Sequence, residues 1–509
     1  MSRKILLFGM NGLSPDLLFK FIEDGHLPNF DAIIKEGVTC ETGGIIPEIS
    51  SVTWQNMLSG KNPGKTGIFD SYFRVRGTYE ISSEIKSKNV EDLFDILNKY
   101  GKKVIAINIP SIYHHKKING VLISDQLPDF TYPPELSKEL ADTIGIYKFR
   151  FKADINALIN SKIDEDTYLD SIINITEQEF KIAKYLLENK EWDIYMINTC
   201  DIDSVQHIFY LDQRSKYREE ILKSYKRMDK FFGELTKNLK NDVSVIIFSD
   251  KGIVPFQKSV HINKWLIDNG LLTLESDKKT FSDINWYQTA VYHIGHGQIF
   301  INLKGREQNG IIDPGKEYEE LRNSIKNALE NLEDPENREN FIERVFKKEE
   351  LFFGEFFEDA ADMIITYKKE YRTADSDAKG IFETDSLVQV NKSKRRGDHV
   401  GPHLPFAVPG LFIIKGKNLK KGIEIKKKCI LDLTPTILYM TNIPVLKDMD
   451  GKVIIDAFDQ QYISSNPIKY IETESFELLK HDFLRESDRL SKEEEEKVKE
   501  RLRGLGYIV

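Results

Sequence analysis

The chain has 509 residues, and its 72 Lys and Arg against 81 Asp and Glu give a formal net charge of −9. Hydrophobic residues make up 40% and charged residues 30%, a composition that excludes disorder as the dominant state and allows a large core. Because there is no basic excess, we do not expect nucleic acid to be bound by general electrostatic attraction. Cys40, Cys200 and Cys429 are far apart and odd in number, so they predict neither a disulfide framework nor a cysteine metal site.

The first residues, MSRKILLFGMNG, contain a short apolar run that an Asn-Gly pair ends. A run of about six residues is too short for a secretion signal, so it is interpreted as a first strand. No stretch approaches the ~20 apolar residues that a membrane-crossing helix needs. We therefore expect a cytoplasmic protein without a membrane partner.

Short apolar runs alternate with amphipathic stretches along the chain. The runs lack a polar face, which is typical of strands buried on both sides in a mostly parallel sheet. The predicted strands are 4–9, 103–109, 120–124, 193–198, 243–249, 298–303, 362–367 and 410–416. The predicted helices between them are 16–36, 90–100, 168–189 and 217–239. This alternation predicts a layered α/β fold with right-handed crossovers.

The alternation weakens in two places. One is a polar stretch at about 125–165, interpreted as a small cap segment, and the other is 255–390, which holds a charged helix candidate at 317–332. Since core-like strands flank the second stretch, we predict one α/β core, 1–254 and 391–460, with 255–390 inserted as a cap. The remaining residues, 461–509, are predicted to form a charged helical tail in which Ser491 and Glu494 make a capping box.

Polar side chains follow three of the predicted strands, at the carboxyl edge where open α/β sheets bind their ligands. Asn11 follows the first run, Asp203 follows 193–198, and Asp250 and Lys251 follow 243–249. The sequence therefore predicts a site at this edge.

A metal site is one interpretation of the segment DSVQH. Its Asp203 and His207 are four residues apart, so they project from one face if the segment is helical. Such a pair can supply two ligands to Zn²⁺ or a similar divalent ion. The third ligand could come from His399 or His403 in GDHVGPH.

Several motifs together resemble the type I phosphodiesterase/nucleotide pyrophosphatase family of the alkaline phosphatase superfamily. They span residues 4 to 456 in the family's order, which makes the resemblance specific. The motifs are LLFGMNGLSPDLLFKFIEDGHLPNFDAIIKEGV, IPEISSVTWQNMLSGKNPGKTGIFD, DIDSVQH, SDKG, GQIFINLKGREQNGII, GDHVGPH and DLTPTILYMTNIPVLKDMDGKVI. The resemblance implies an alkaline-phosphatase-like, three-layer α/β core.

The resemblance also implies two metal sites, of which this chain keeps one. The family's DxxxH pair and later His correspond to Asp203, His207 and His399; His399 fits the distance to the following strand better than His403. His403 is expected beside these ligands or facing the substrate. Two nitrogen ligands and a carboxylate favour Zn²⁺, with Mn²⁺ and Fe²⁺ as alternatives.

The second metal site departs from the family pattern. Its positions are Asn11, where the family has a carboxylate, Ser50, Asp250 and Lys251, where the family has an imidazole. A protonated lysine cannot ligate a metal and would repel one. We therefore predict a single metal ion.

Two interpretations of Lys251 remain open. In the first, Lys251 is held by Asp250, activates Ser50 and stabilises the developing charge. Sulfatases, distant relatives in the superfamily, resemble this solution in using one metal together with lysines. In the second, the two side chains pair in a dead site. The retained ligand set favours the first.

Ser50 is the predicted nucleophile. The segment PEISSVTW offers Ser50, Ser51 and Thr53, and alignment on Pro47 and Trp54 selects Ser50, with Thr53 beside it. The competing role for a hydroxyl here is that of a helix N-cap.

Candidates for the substrate side are His293 and His296 in YHIGHG, with Arg306 nearby. The basic run 391–396 could attract a phosphate or sulfate group, although such runs are usually solvated loops.

The expected function is hydrolysis or transfer of phosphodiester, nucleotide pyrophosphate or related phosphoryl or sulfuryl esters, so the expected partner is a small ester, including a nucleotide. Ser50 would attack with assistance from Lys251 and Asn11, and water or another acceptor would resolve the covalent intermediate with the metal's help. The alternatives are an inactive binding protein of the same fold and a biosynthetic transferase. The sequence does not predict the substrate or the oligomeric state.

Overall fold

A computed structural model describes residues 4–83, 90–110, 118–124, 127, 130–150, 152–210, 212–214, 216–275, 279–382, 386–399 and 401–473. The predicted capping box at Ser491 and Glu494, with most of the predicted tail, lies outside the described residues.

The strands follow one another in chain order as β1 (Ile5–Met10), β2 (Val38–Gly43), β3 (Phe73–Arg74), β4 (Ile81–Ser82), β5 (Val104–Ile107), β6 (Gly120–Ile123), β7 (Thr131–Tyr132), β8 (Ile194–Thr199), β9 (Ser244–Lys251), β10 (Val254–Val260), β11 (Val291–Ile294), β12 (Gln298–Ile301), β13 (Ile342–Lys347), β14 (Met363–Tyr367), β15 (Glu370–Thr373), β16 (Val388–Val390), β17 (Gly397–Asp398), β18 (Pro409–Lys415), β19 (Ile423–Glu424), β20 (Lys428–Cys429), β21 (Val445–Leu446) and β22 (Tyr470–Ile471).

The α-helices are α1 (Pro15–Glu23), α2 (Pro28–Glu36), α3 (Ser50–Ser59), α4 (Pro63–Thr66), α5 (Leu93–Lys99), α6 (Glu135–Ile144), α7 (Ile155–Ile159), α8 (Glu165–Asn189), α9 (Asp201–Phe209), α10 (Glu220–Thr236), α11 (Ile262–Asp268), α12 (Lys316–Glu330), α13 (Lys348–Leu351), α14 (Asp375–Ala378), α15 (Leu433–Met440) and α16 (Gln460–Ser465). The predicted helix 16–36 is two helices, because Gly25 takes a positive φ and Pro28 begins α2.

The core is a ten-stranded sheet with strand order β19-β2-β18-β9-β1-β8-β5-β6-β7, and β20 pairs with β2. The pairs that β1 makes with β8 and β9 are parallel, with Ile5 opposite both Ile194 and Ser244. Strand β18 is antiparallel to both of its neighbours, and β7 is antiparallel to β6. The mostly parallel sheet predicted from the sequence is therefore confirmed.

Successive residues of β1 enter two different hydrophobic clusters. Ile5 and Leu7 pack with residues of α3, α5 and α15, whereas Leu6 and Phe8 pack with residues of α1, α2 and α10. Helices thus cover both faces of the sheet, which gives the predicted three layers and explains why the strand runs carry no polar face.

Most residues of a separate hydrophobic cluster belong to the segment 255–390, and Ile46 and Phe69 join it from the first part of the chain. Four antiparallel strands in the order β11-β12-β14-β13 form one sheet, and β10, β15 and β16 form a second four-stranded sheet with β17. Two of the eight apolar runs, 298–303 and 362–367, therefore belong to an antiparallel sheet in this segment. No helix in the described ranges is both long and apolar enough to cross a bilayer.

Candidate metal centre and active site

Four stretches of chain meet at the carboxyl edge of the central sheet. Asn11 directly follows β1, α9 begins two residues after β8, and β9 ends at Lys251. Strand β18 is antiparallel and starts at Pro409 opposite Lys251, so the residues that precede it arrive at the same edge. The topology therefore places the GDHVGPH segment beside the strand ends.

Asp203, His207 and His399 form the group that could hold a metal ion. One ligand atom from each lies within 4.8 Å of the other two, and all three residues are buried. Asp203 Oδ1 is 3.4 Å from His207 Nε2 and 3.3 Å from His399 Nδ1. The structure thus brings together the three predicted ligands.

The hydrogen bonds of this group leave suitable atoms for a metal. His207 Nδ1 lies 2.8 Å from the carbonyl oxygen of Gly397; donation to that oxygen leaves Nε2 with a free lone pair. Asp203 Oδ1 and His399 Nδ1 are buried and have no hydrogen-bond partner in the described structure. Unpartnered buried ligand atoms are costly unless a cation binds them, so these residues fit a divalent metal.

The electrostatics of the group favour the ligating protonation states. Burial raises the pKa of Asp203, whereas His207 and His399, when protonated, and the charge of Lys152 lower it, and the lowering is the larger effect. Burial lowers the pKa of His207 and lowers that of His399 further. A carboxylate and two neutral imidazoles are the forms that bind metal.

Two residues that sequence reasoning missed adjoin this group. Asp398 Oδ1 accepts a hydrogen bond of 2.8 Å from the His399 backbone N–H, and its carboxylate lies 2.9 Å from Arg372 and 3.2 Å from Arg395. Lys152 Nζ lies 3.7 Å from Asp203 Oδ2. The position next to His399 could have pointed to Asp398, whereas no motif marks Lys152.

Ser50 is the first residue of α3 and is partly exposed. The segment before it follows β2, a strand of the same sheet. Ile49 and Val52, which flank Ser50, pack against Ile68 in a small hydrophobic cluster. The first turn of α3 therefore stands at the same edge of the sheet as the other strand ends.

Lys251 is fully buried, and its ammonium group donates a hydrogen bond to the backbone carbonyl oxygen of Glu48, two residues before Ser50. The Glu48 side chain is buried too, and its Oε1 accepts a hydrogen bond of 3.0 Å from the Gly44 N–H. Burial raises the pKa of Glu48 to about 8, although the Lys251 charge opposes the shift. This hydrogen bond from Lys251 thus links the end of β9 to the segment that carries Ser50.

The remaining positions of the family's second metal site are Asp250 and Asn11. Burial raises the pKa of Asp250 to about 6 against the influence of Lys251, and its Oδ2 has no hydrogen-bond partner among the described residues. Asn11 Nδ2 donates to Cys200 Sγ at 3.3 Å. The structure brings Asn11, Asp250 and Lys251 to one edge of the sheet.

The other predicted site residues differ in their surroundings. His403 is buried, with Nδ1 3.0 Å from the Tyr367 carbonyl oxygen, and burial lowers its pKa. The Thr53 hydroxyl is buried without a hydrogen-bond partner among the described residues. Arg306 is paired with Asp362, and two of its nitrogens each lie 2.7 Å from a carboxylate oxygen of that residue.

The basic run 391–396 also has acidic neighbours. Arg395 pairs with Asp398 at 3.2 Å, and Arg396 lies 3.6 Å from Asp212. These two arginines are thus bound by carboxylates of the chain.

The fold has solved counterparts. Murine ectonucleotide pyrophosphatase/phosphodiesterase 5 is 13% identical, with a TM-score of 0.53 over 90% of this chain and 100% of that one. An inactive variant of the murine protein in complex with AMP has a TM-score of 0.54 at 13% identity, again over 90% and 100%. The human protein of the same name has a TM-score of 0.51 at 13% identity and the same coverage. These similarities confirm the alkaline-phosphatase-type fold.

No curated protein sequence matches the chain significantly. The family model described as type I phosphodiesterase/nucleotide pyrophosphatase does match it, over residues 5–401. That range contains the described strand ends, the first turn of α3 and the three candidate ligands. The chain therefore belongs to the type I phosphodiesterase/nucleotide pyrophosphatase family.

Proposed function

We propose that this protein is a metal-dependent hydrolase or transferase of phosphodiester, nucleotide pyrophosphate or related esters, with Ser50 as its nucleophile and one metal ion. The observation that carries the proposal is the buried group of Asp203, His207 and His399, whose unpartnered ligand atoms meet at the sheet edge where α3 begins. The AMP found in the murine relative supports a nucleotide or another phosphate ester as ligand.

Asp203, His207 and His399 would hold the ion, for which the ligand set favours Zn²⁺ over Mn²⁺ or Fe²⁺. When bound, a divalent ion supplies Lewis acidity to a phosphoryl oxygen. The chain's own contribution is orientation: Gly397 fixes the His207 ring, and the Asp398 carboxylate binds the backbone N–H of His399.

Ser50 would attack the phosphorus in line. Its position at the start of α3 supports this role, because the free N–H groups and the positive end of a helix favour an anionic group. Formation of the bond to Ser50 Oγ would release the first alcohol or phosphate and leave a phosphoseryl intermediate. Water would then hydrolyse it, or an acceptor substrate would take the phosphoryl group.

Lys251 would supply positive charge where the family has a second metal. Two observations support this role: its side chain is fully buried, and its ammonium group binds the segment directly before Ser50. A buried cation whose position is fixed stabilises developing negative charge without reorganisation. Asn11 would add a neutral hydrogen-bond donor, and Asp250 would balance the Lys251 charge.

Metal analysis combined with turnover assays tests the proposal. We expect about one metal ion per chain, and we expect Ser50→Ala to lower turnover of a bis-aryl phosphate by at least about 10³-fold while metal content stays unchanged. Ser51→Ala and Thr53→Ala are the matched controls, since they remove the neighbouring hydroxyls. An aryl sulfate assayed in parallel separates phosphoryl from sulfuryl chemistry.

Three results would contradict the proposal. Turnover unaffected by Ser50→Ala would exclude Ser50 as the nucleophile. A metal-loaded protein that binds AMP but turns over neither ester would be a binding protein instead. Full activity after metal removal would exclude metal dependence.

The double variant Asn11→Asp with Lys251→His tests the assignment of one metal. It restores both ligand types that the family uses, so we expect a second metal ion to bind. An unchanged stoichiometry of one would show that these two substitutions did not remove the second site.

A further inference from the structure

The hairpin between β11 and β12 carries a histidine that the proposed reaction does not yet use. His296 lies at its tip, between Ile294 and Gln298, which pair across the two strands. Its Nδ1 is 2.9 Å from Asp70 Oδ1, and its backbone N–H donates to Asp70 Oδ2 at 2.8 Å. Asp70 is fully buried and belongs to the segment that follows α4. A carboxylate therefore fixes both the position and the orientation of this imidazole.

The second nitrogen of His296 is left for a ligand. No described residue makes a hydrogen bond with Nε2, and the side chain is 10% exposed. When Nδ1 carries a hydrogen, the Asp70 carboxylate accepts its hydrogen bond and so orients the ring. A carboxylate-held imidazole with one accessible nitrogen is the arrangement from which proteins donate protons.

The neighbours of this dyad place it beside the proposed catalytic groups. Ile68, two residues before Asp70, packs against Ile49 and Val52 on either side of Ser50. On the other side, a Cβ added at Gly297 would lie 2.9 Å from Pro402, which stands between His399 and His403. Chain neighbours of the dyad thus contact both the segment around Ser50 and the segment that carries the third candidate ligand.

The other histidine of the hairpin has no such free atom. His293 is fully buried, its Nδ1 lies 3.0 Å from Asp377 Oδ2, and its Nε2 accepts a hydrogen bond of 3.2 Å from the Gly297 N–H. The two histidines therefore lie on one hairpin and each has its own carboxylate partner, Asp70 for His296 and Asp377 for His293. Because both nitrogens of His293 have neighbours within the protein, His293 is a matched control.

We propose that His296 is the proton donor to the leaving oxygen of the ester, and that Asp70 is its positioning residue. This role rests on the proposed function and deepens it. As the bond from phosphorus to Ser50 Oγ forms, the bond to the leaving oxygen breaks, and that oxygen takes the Nε2 proton; the Ser50 proton goes to solvent. In the second step Nε2 takes a proton from the attacking water, whose oxygen bonds to phosphorus, and Ser50 Oγ leaves with a solvent proton.

A proton donor matters most for leaving groups that are strong bases. The test therefore compares kcat/KM for two esters. Diphenyl phosphate has phenolate as its leaving group, which is a fairly strong base, whereas bis(4-nitrophenyl) phosphate releases the more stable 4-nitrophenolate anion. We expect His296→Gln to lower the first by about 10²–10⁴-fold and the second by less than about 10-fold. Asp70→Asn should show the same selectivity with a smaller loss. His293→Gln should affect both esters equally.

Equal losses on both esters in His296→Gln would overturn the role while leaving the proposed function intact. Turnover of neither ester by the wild-type protein would overturn the proposed function and this role with it. If His296→Gln does not fold, a series of bis-aryl phosphates on the wild-type protein decides. A shallow dependence of kcat/KM on leaving-group basicity supports proton donation, and a steep dependence overturns it.

Discussion

The Glu48 carboxyl group is buried two residues before Ser50, and its pKa in the folded protein is about 8, against an ordinary value of 4.5. The folded state therefore holds this proton more tightly than the unfolded state does. The resulting stabilisation is complete below pH 4.5 and is lost as the pH rises through about 8.

We predict that Glu48→Gln removes this pH dependence. Between pH 5 and pH 8, the free energy of unfolding of the wild type should fall relative to that of the variant, by at most about 1.4 kcal/mol per pH unit. Urea unfolding at several pH values measures the difference, and Glu343→Gln, at an exposed position, is the control. Parallel pH profiles for wild type and Glu48→Gln would contradict the prediction.

Motifs in the sequence suggest candidate site residues, but they do not predict the contacts that these residues make. Asp203 and His207 could be paired from their spacing, because four residues make one helical turn. The bond from Lys251 to the Glu48 carbonyl oxygen joins residues 203 positions apart, so no local pattern reports it. The sequence does not predict the contact of Lys152 with Asp203 for the same reason, because only the tertiary fold brings the two residues together.

Among the elements, the short strand β17 fixes the orientation of a candidate metal ligand, His207. The carbonyl oxygen of Gly397 binds His207 Nδ1, and a Cβ added at this glycine would lie 2.6 Å from the Gln206 carbonyl oxygen. A side chain here must therefore displace β17 from α9.

Gly397→Ala is consequently predicted to weaken metal binding by about 10–100-fold, the usual effect of losing a group that orients a ligand. Competition with a chromogenic chelator measures the affinity. Gly252→Ala is the control, because its added carbon would meet nothing closer than 3.2 Å. Wild-type affinity in Gly397→Ala would show that the His207 ring does not depend on this contact.

Strand positions were largely predictable because long apolar runs have few alternatives. The direction in which each strand pairs was harder to predict. The apolar run of β18 has the same pattern as the parallel strands of the sheet, yet β18 runs antiparallel to both of its neighbours, β2 and β9. Likewise, the runs at 298–303 and 362–367 are buried on both faces by the hydrophobic cluster of their own segment, which periodicity cannot distinguish from the central sheet.

At the level of the whole molecule, the segment 255–390 is stabilised by buried ion pairs of its own. Arg306 binds both carboxylate oxygens of Asp362, which is fully buried and also accepts hydrogen bonds from the Ile301 N–H and the Tyr318 hydroxyl. Residues around Arg306 matched a family motif, but the sequence does not show that its guanidinium is already bound.

We predict that Arg306→Ala destabilises the protein by about 3–5 kcal/mol, because it leaves a buried carboxylate unpaired. Arg396→Ala is the control; the side chain of Arg396 is 45% exposed, so its loss should cost about 1 kcal/mol or less. Chemical denaturation measures both. Loss of substrate affinity in Arg306→Ala without loss of stability would instead place this arginine at the substrate.

The central claim is that Ser50 forms a covalent bond to the substrate's phosphorus. Acid quenching of the metal-loaded protein during turnover of a bis-aryl phosphate, followed by peptide mass mapping, tests it most directly. We expect an aryl phosphoryl group on Ser50 that disappears when the substrate is exhausted. Two results would contradict the covalent role of Ser50. One is an aryl phosphoryl group on another residue during turnover, and the other is turnover without any modified residue in a quench fast enough to trap the intermediate.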